Sequence, residues 1–411
     1  MVRSTCMLII AEKILIKTGQ FPKSRWAILI KSGKIQGHGP IDVLRKSYPT
    51  ERIITLQNAL VMPGLVNVHT HLEIPPLLER LKSRTYSSWV LDLIKEKREL
   101  TREDYGAAVK RNVNALVSTG TTTIGEICTH GISPAHLPGS GVRAYVFQEI
   151  ISMDPSKPFI YTSGLIKKDN SLIRFGLSPH SPHTVSEQAF RVIHDVSERK
   201  RLRLSIHAAE SREEGRLLRR SHSGLVALYR AARWDRKWLA QAPSSIALLD
   251  RYSMLGPNTL IVHAVDVTDS DIRLIKRRGA AVAHCPRSNR TLRVGVMPLN
   301  KMLDAGIPVG LGTDSLASVA NLNLWDEMRF ACKLHRKSGV SPKDMLVMAT
   351  TGGARALGMD KDIGSLEPGK RADVIAVPLP RNHTGDFYSG LLRETESSIM
   401  TMVNGKIIYR G

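Results

Sequence analysis

Through the middle of the chain, short continuous apolar runs alternate with longer stretches whose apolar positions recur every three to four residues. The runs are Gly64–Val68, Thr121–Glu126, Val142–Gln148, Ile173–Leu177, Leu202–Ile206, Thr259–Val262, Ala280–Ala283 and Pro308–Gly312. Each has the length and enrichment of a strand buried on both faces. The periodic stretches, such as Thr101–Ser118, Ser186–Lys200, Glu213–Arg230, Thr268–Arg278 and Asn323–Lys337, read as amphipathic helices. Strands alternating with helices imply a parallel sheet, and eight such units predict an α/β protein built on a (β/α)8 TIM-like barrel.

The two ends differ from the middle. Cys6–Ile16, Trp26–Lys31, Lys34–Gly37 and Arg52–Leu56 are strand-like pieces broken by Gly and Pro. Ala372–Val377 and Ile399–Ile408 resemble them, and Asn404-Gly405 is a strong hairpin turn. A small composite β-sandwich assembled from residues 1–61 and 362–411 is therefore expected, flanking a barrel of residues 62–361.

Polar residues with metal-binding chemistry stand where the barrel strands should end. His69 and His71 follow the first strand, and at i and i+2 they point to one side of it. His207 ends the fifth strand with Glu210 three residues on, His263 ends the sixth, and Asp314 ends the eighth in Gly-Leu-Gly-Thr-Asp-Ser. In a barrel these distant positions meet at the C-terminal mouth. Three imidazoles and a carboxylate (His69, His71, His207 and Asp314) suit one divalent ion, zinc first and iron second, with a position left open for water. Glu210 suits a proton carrier, and Asp314 is placed to share that work. His263 is either a further ligand or a hydrogen-bonding partner of the reacting oxygen, the second being preferred. The bland readings are a surface glutamate for Glu210 and a helix N-cap for Asp314.

Two further segments border this mouth. Ser178 to Thr184 ends the fourth strand with His180 and His183, both candidate substrate contacts; the alternative is turn chemistry set by Pro179 and Pro182. His284 to Asn289 ends the seventh strand and reads as pocket wall, with Cys285 no nucleophile.

Composition narrows the function classes. The four cysteines, Cys6, Cys128, Cys285 and Cys332, form no Cys-x-x-Cys pair, which argues against a thiolate zinc site and against a disulfide framework. The apolar run Met7–Ala11 is too short for a signal-peptide core, and no stretch is long enough to span a membrane. A cytoplasmic enzyme is expected. The net charge of +22 raises the question of nucleic acid, but lysine and arginine are spread along the chain and, even where densest (Arg191–Lys237), alternate with acids. A solvated basic surface is expected, with no nucleic-acid partner and no membrane partner.

The stretches Val61–His71 and Gly364–Asp373, with the motifs between them, resemble the amidohydrolase superfamily, in its branch of cytosine, adenosine, guanine and triazine deaminases and chlorohydrolases. The resemblance implies that His69, His71, His207 and Asp314 hold a single metal without a carboxylated-lysine bridge. It also implies that Glu210 and His263 do the proton work, that the chain is a homodimer, and that the substrate is a small-molecule purine nucleoside. Pro179–Thr184 looks like the methylthioadenosine and adenosylhomocysteine deaminases, where a tyrosine is more usual at position 183. The first loop looks closer to aminofutalosine deaminases of the alternative menaquinone pathway. There Glu73 and Trp89 would hold the ribose or purine, and Arg98 or another cation the substrate's benzoate. The expected reaction is hydrolytic deamination of a 6-aminopurine nucleoside; dechlorination or cyclic-amide hydrolysis on the same centre is the alternative.

Overall fold

The computed structural model describes residues 6–49, 51–83, 85–154, 169–170, 172–381 and 386–411. Four strands come first, β1 (Cys6–Ile14), β2 (Lys23–Lys31), β3 (Lys34–Pro40) and β4 (Arg52–Pro63). Eight more form the barrel: β5 (Leu65–Thr70), β6 (Thr121–Cys128), β7 (Arg143–Ile150), β8 (Ile173–Pro179), β9 (Leu204–Ala208), β10 (Thr259–His263), β11 (Ala281–His284) and β12 (Val309–Leu311). The chain ends with β13 (Val374–Pro378), β14 (Met400–Val403) and β15 (Lys406–Arg410).

β5 to β12 pair in sequence order, each parallel to the next. The eighth strand returns to the first: the Asp314 amide donates to the His69 carbonyl at 3.1 Å, and Thr70 bridges Asp314 in parallel register. That contact brings the two most distant site motifs together. Gly312 makes it possible, because a Cβ there would lie 2.8 Å from the His69 Cβ and 3.0 Å from the Cys285 sulfur. The remaining strands form one mixed sheet in the order β15-β14-β13-β4-β1-β2-β3, so both termini share it as expected.

Sequence periodicity missed two features near the site. Glu213–Arg230 is not one helix but two, Arg212–Leu218 and Val226–Ala232. The break falls where Arg220 adopts φ +58° and Ser221-His222-Ser223-Gly224 supplies weak helix formers. In addition, Tyr86–Arg98 is a helix that the sequence reading left unassigned, capped by Thr85 in a capping box with Ser88. Its residues 86, 89, 90, 93, 94 and 97 form one stripe that faces the barrel mouth. Gly224 lets the break approach this helix; a Cβ there would meet the Ser87 hydroxyl at 2.3 Å.

Arg143 at the start of β7 and Asp373 before β13 tie barrel to sheet. Nε and one terminal nitrogen of Arg143 donate to the two Asp373 oxygens at 2.7 and 3.0 Å, and the Asn404 amide adds a third bond at 2.8 Å. Both side chains are almost wholly buried. Removing one partner of such a pair strands a buried charge, at about 3–5 kcal/mol. Arg143→Met is therefore expected to lose about that much stability in denaturant unfolding, with the metal site intact.

Candidate metal and active site

The C-terminal ends of the barrel strands surround a cavity of about 320 Å³. At its floor His69, His71 and Asp314 bring ligand atoms within 4.8 Å of one another, and so do His69, His207 and His263. Asp314 Oδ1 lies 3.6 Å from His71 Nε2 and 3.8 Å from His69 Nε2, while the His207 ring centroid is 4.9 Å from that of His69. His69 is fully buried, and neither of its ring nitrogens has a hydrogen-bond partner among the described residues. Such a group is costly unless something else binds it. An uncompensated imidazole ringed by imidazoles and one carboxylate fits a divalent cation held by nitrogen and oxygen.

The outer layer fixes these side chains. Ser288 donates to Asp314 Oδ2 at 2.6 Å, His207 Nδ1 lies 3.1 Å from the His180 carbonyl, and His263 Nδ1 lies 2.9 Å from Asn289 Oδ1. Asp314 and His263 sit in the left-handed region at φ +64° and +76°. Residues outside their preferred backbone wells cluster at functional sites. The His284–Asn289 segment is therefore not pocket wall as expected. It stands behind the site: Ser288 and Asn289 orient Asp314 and His263, and His284 pairs with His335 at 3.0 Å. Burial pushes the Cys285 thiol well up, which suits no nucleophile.

Electrostatics keep His69, His71 and Asp314 in the forms that suit a cation. Burial, then the neighbouring imidazoles, holds His69 well below its ordinary range, and burial brings His71 down to about 4 against the pull of Asp314. Burial works to raise the Asp314 carboxyl, but His71, His263 and the Ser288 hydroxyl hold it lower than usual. Neutral imidazoles and an ionised carboxylate are the forms that bind metal.

Glu210 stands over this centre. One oxygen accepts the Tyr86 hydroxyl at 2.6 Å and the other lies 3.5 Å from His263 Nε2. Burial raises its carboxyl to about 7, against the lowering effects of His207 and Tyr86. A carboxyl poised near neutrality can both take and give a proton.

The remaining expectations divide. His180 and His183 line the cavity, with Nδ1 atoms 2.8 Å from Thr184 Oγ1 and 3.1 Å from Ser181 Oγ. Trp89 also lines it, and its indole nitrogen has no partner among the described residues. Glu73 does not. Its oxygens accept the amides of His130, Ile132 and Ser133, so it braces the loop after β6 instead of meeting a ligand. Arg98 is exposed and outside the lining, because the helix stripe ends one residue earlier at Lys97. Lys97 is the only lysine or arginine among the described lining residues.

Sequence reasoning missed Glu149 and Tyr86. Glu149 stands at the end of the third barrel strand and lines the cavity; burial opposes its ionisation, but His180, Lys97 and His71 hold its carboxyl at about 2. The strand-end rule that found the histidines points to it equally. Tyr86 carries no comparable signal.

Residues 60–408 match the Amidohydrolase family, and the chain belongs to that family. It is 30% identical to a 5-methylthioadenosine/S-adenosylhomocysteine deaminase of Syntrophobacter fumaroxidans, over 88% of this chain and 82% of that protein. It is 26% identical to an aminodeoxyfutalosine deaminase of a Nitratiruptor species, over 91% of this chain and 93% of that one. A crystal structure of an adenosine deaminase from Xanthomonas campestris with bound zinc superposes with a TM-score of 0.82 at 25% identity, covering 98% of this chain and 92% of that one. The chain is thus a hydrolase of C–N bonds in cyclic amidines, on a nearly closed (β/α)8 barrel with a mixed sheet from both termini. Among the described residues, no helix is long and apolar enough to cross a membrane.

Proposed function

We propose that this enzyme removes the 6-amino group of a purine nucleoside bearing an anionic extension beyond the sugar, 6-amino-6-deoxyfutalosine of menaquinone biosynthesis being the best match. The observation that carries the substrate choice is Lys97. Its side chain lines the cavity with the apolar residues Ile74, Val90, Leu93, Ile94 and Leu228, with Trp89 and Trp234 and with the carboxylate of Glu149. No carboxylate of the described residues lies within ion-pairing distance of it. A cation beside apolar surface, balanced only through space by Glu149 across the same cavity, favours an anionic ligand group.

Zinc is the proposed ion, held by His69, His71, His207 and Asp314; when bound it acidifies water and polarises the attacked centre. Glu210 takes the proton of the attacking water and passes it to ring nitrogen N1, which makes C6 electrophilic. Asn289 Oδ1 accepts the hydrogen on His263 Nδ1, so the neutral ring presents Nε2 as an acceptor. His263 therefore accepts a hydrogen bond from the water's O–H and steadies the oxygen added at C6. Asp314 shares the proton work. His180 and His183 border the base, and Trp89 supplies a flat apolar face with a free N–H. The second water proton, on the oxygen added at C6, passes through Asp314 or Glu210 to the amino nitrogen; the C6–N bond then breaks, ammonia leaves and the oxygen remains as the C6 carbonyl.

The test is ultraviolet assay of aminodeoxyfutalosine, methylthioadenosine, adenosylhomocysteine, 5′-deoxyadenosine and adenosine side by side, with chloride release scored on a chlorotriazine. Lys97→Met is expected to raise KM for aminodeoxyfutalosine about 10-fold or more, the scale of one charge-assisted contact, and to leave methylthioadenosine nearly unchanged. Equal losses on both substrates contradict the reading. The second reading, a methylthioadenosine or adenosylhomocysteine deaminase, draws on the apolar wall, which suits a thioether. Highest kcat/KM on methylthioadenosine, unchanged by Lys97→Met, would establish it.

A further inference from the structure

We infer that Tyr86 is a positioning residue that aims the proton carrier Glu210, and that through it the helix forming the cavity wall governs the chemical step. This rests on the reading of Glu210 as the group that moves the proton.

Glu210 is gripped from two sides. Its backbone is fixed from below by Glu214, whose carboxylate accepts the amides of Ala209 at 3.0 Å and Glu210 at 3.1 Å and the hydroxyl of Ser245. Ala209 is thereby held at φ +53°. None of those bonds orients the Glu210 side chain. Among the described residues, the one hydrogen bond to its carboxylate is the 2.6 Å donation from Tyr86. Tyr86 is itself buried and comes from a distant part of the chain. With Oε2 so engaged, Oε1 is the oxygen left to face His263 Nε2 at 3.5 Å and the reacting atoms. Among the described residues the phenol makes no other hydrogen bond, so its hydroxyl is committed to this one.

The same helix carries the substrate wall. Tyr86 and Trp89 stack with centroids 6.5 Å apart, and Val90, Leu93, Ile94 and Lys97 continue the stripe along the cavity. The Gly224 turn packs closely against Ser87, next to Tyr86. A ligand that seats well on the stripe settles the helix, and the helix carries the hydroxyl that aims the carboxylate. Selectivity from this wall should therefore appear in kcat as well as in KM.

Tyr86 and His263 stand against the Glu210 carboxyl, and His207, Asp314 and Glu214 act on it through space. A donated hydrogen bond favours the carboxylate, so its loss moves the titration of Glu210 to higher pH, and a stronger donor moves it lower.

The experiment compares Tyr86→Phe and site-specific 3-fluorotyrosine at position 86 with the parent, as metal-loaded protein and with the metal content measured. Tyr86→Phe is expected to lower kcat about 10- to 100-fold with KM changed less than about 3-fold, because one oriented contact to a reacting group is lost. The ascending pH limb of kcat should move up in Tyr86→Phe and down with fluorotyrosine. The Glu210-dependent carboxyl bands in infrared difference spectra of the resting protein should shift in the same directions without any turnover. A phenylalanine variant that loses activity with no displacement of the limb or of those bands shows a merely structural role and overturns the inference, as does one with parental kcat. If Tyr86→Phe does not fold, the fluorotyrosine protein decides alone. Glu210→Gln separates the layers: retained turnover there sinks the proton-carrier reading, whereas lost turnover beside a parental Tyr86→Phe sinks only the role of Tyr86.

Discussion

Glu210→Gln is expected to fold, to bind its metal and to lose about 10²–10⁴ of turnover, the span that positioned proton transfer contributes. The substitution keeps the shape of the side chain and leaves Tyr86 a carbonyl oxygen to donate to. It removes the one property the reaction needs, a proton affinity near neutrality. None of the proposed ligands is Glu210, so metal content should match the parent; a variant that loses both would mean that Glu210 serves the ion instead. The pH profile gives an independent check. Burial raises the carboxyl to about 7 from an ordinary value of 4.5, and a cation beside it pulls in the other direction. The ascending limb of kcat should fall between those values, since below it Glu210 is already protonated and cannot accept the water's proton. That limb should vanish in the glutamine variant, and an unchanged limb would assign it to another group.

Asp314→Asn should produce the second large effect, on the ion. Asp314 supplies the only negative charge among the four proposed ligands, and both its oxygens are placed, one towards His69 and His71, the other on Ser288. Its amide analogue keeps the volume but leaves a divalent charge facing only neutral groups. Loss of a supporting residue around a metal costs 10–100-fold in affinity, so loss of this ligand should exceed about 100-fold. After dialysis against a chelator and return of stoichiometric zinc, the parent should recover turnover and a raised melting temperature, because an ion bound only by the folded state stabilises it. Asp314→Asn should recover neither. A variant that takes up zinc with parental affinity would remove Asp314 from the ligand set.

Much of the architecture and of this centre is legible from local pattern. Buried parallel strands are continuous apolar runs, and the polar residues ending them stand out because the runs before them are so uniform; His69, His71, His207, Glu210, His263 and Asp314 were all found this way. Register at β9 was displaced by two residues, since Leu202 and Arg203 are hydrophobic enough in stem to pass for strand. Helix continuity through Arg219–Leu225 failed because a periodic stretch does not reveal where a serine-glycine turn interrupts it.

The substrate side was far less readable. Glu73 and Arg98 have the right chemistry in the right loop, yet the carboxylate of Glu73 is consumed by backbone amides and Arg98 points to solvent one residue past the stripe. Lys97 and Arg98 cannot be told apart by residue type; the phase of one helix decides between them.

By itself, then, the chain's own order of residues determined the class of fold, the shared terminal sheet and the convergent polar strand ends, because those depend on periodicities of two and 3.6 that neighbouring residues encode. Tertiary structure alone decided which hydroxyl holds Glu210, which cation faces the cavity and which residues stand behind His263 and Asp314. Those contacts join segments far apart in the chain, and their geometry is set by how the helices pack over the mouth, which no local pattern records.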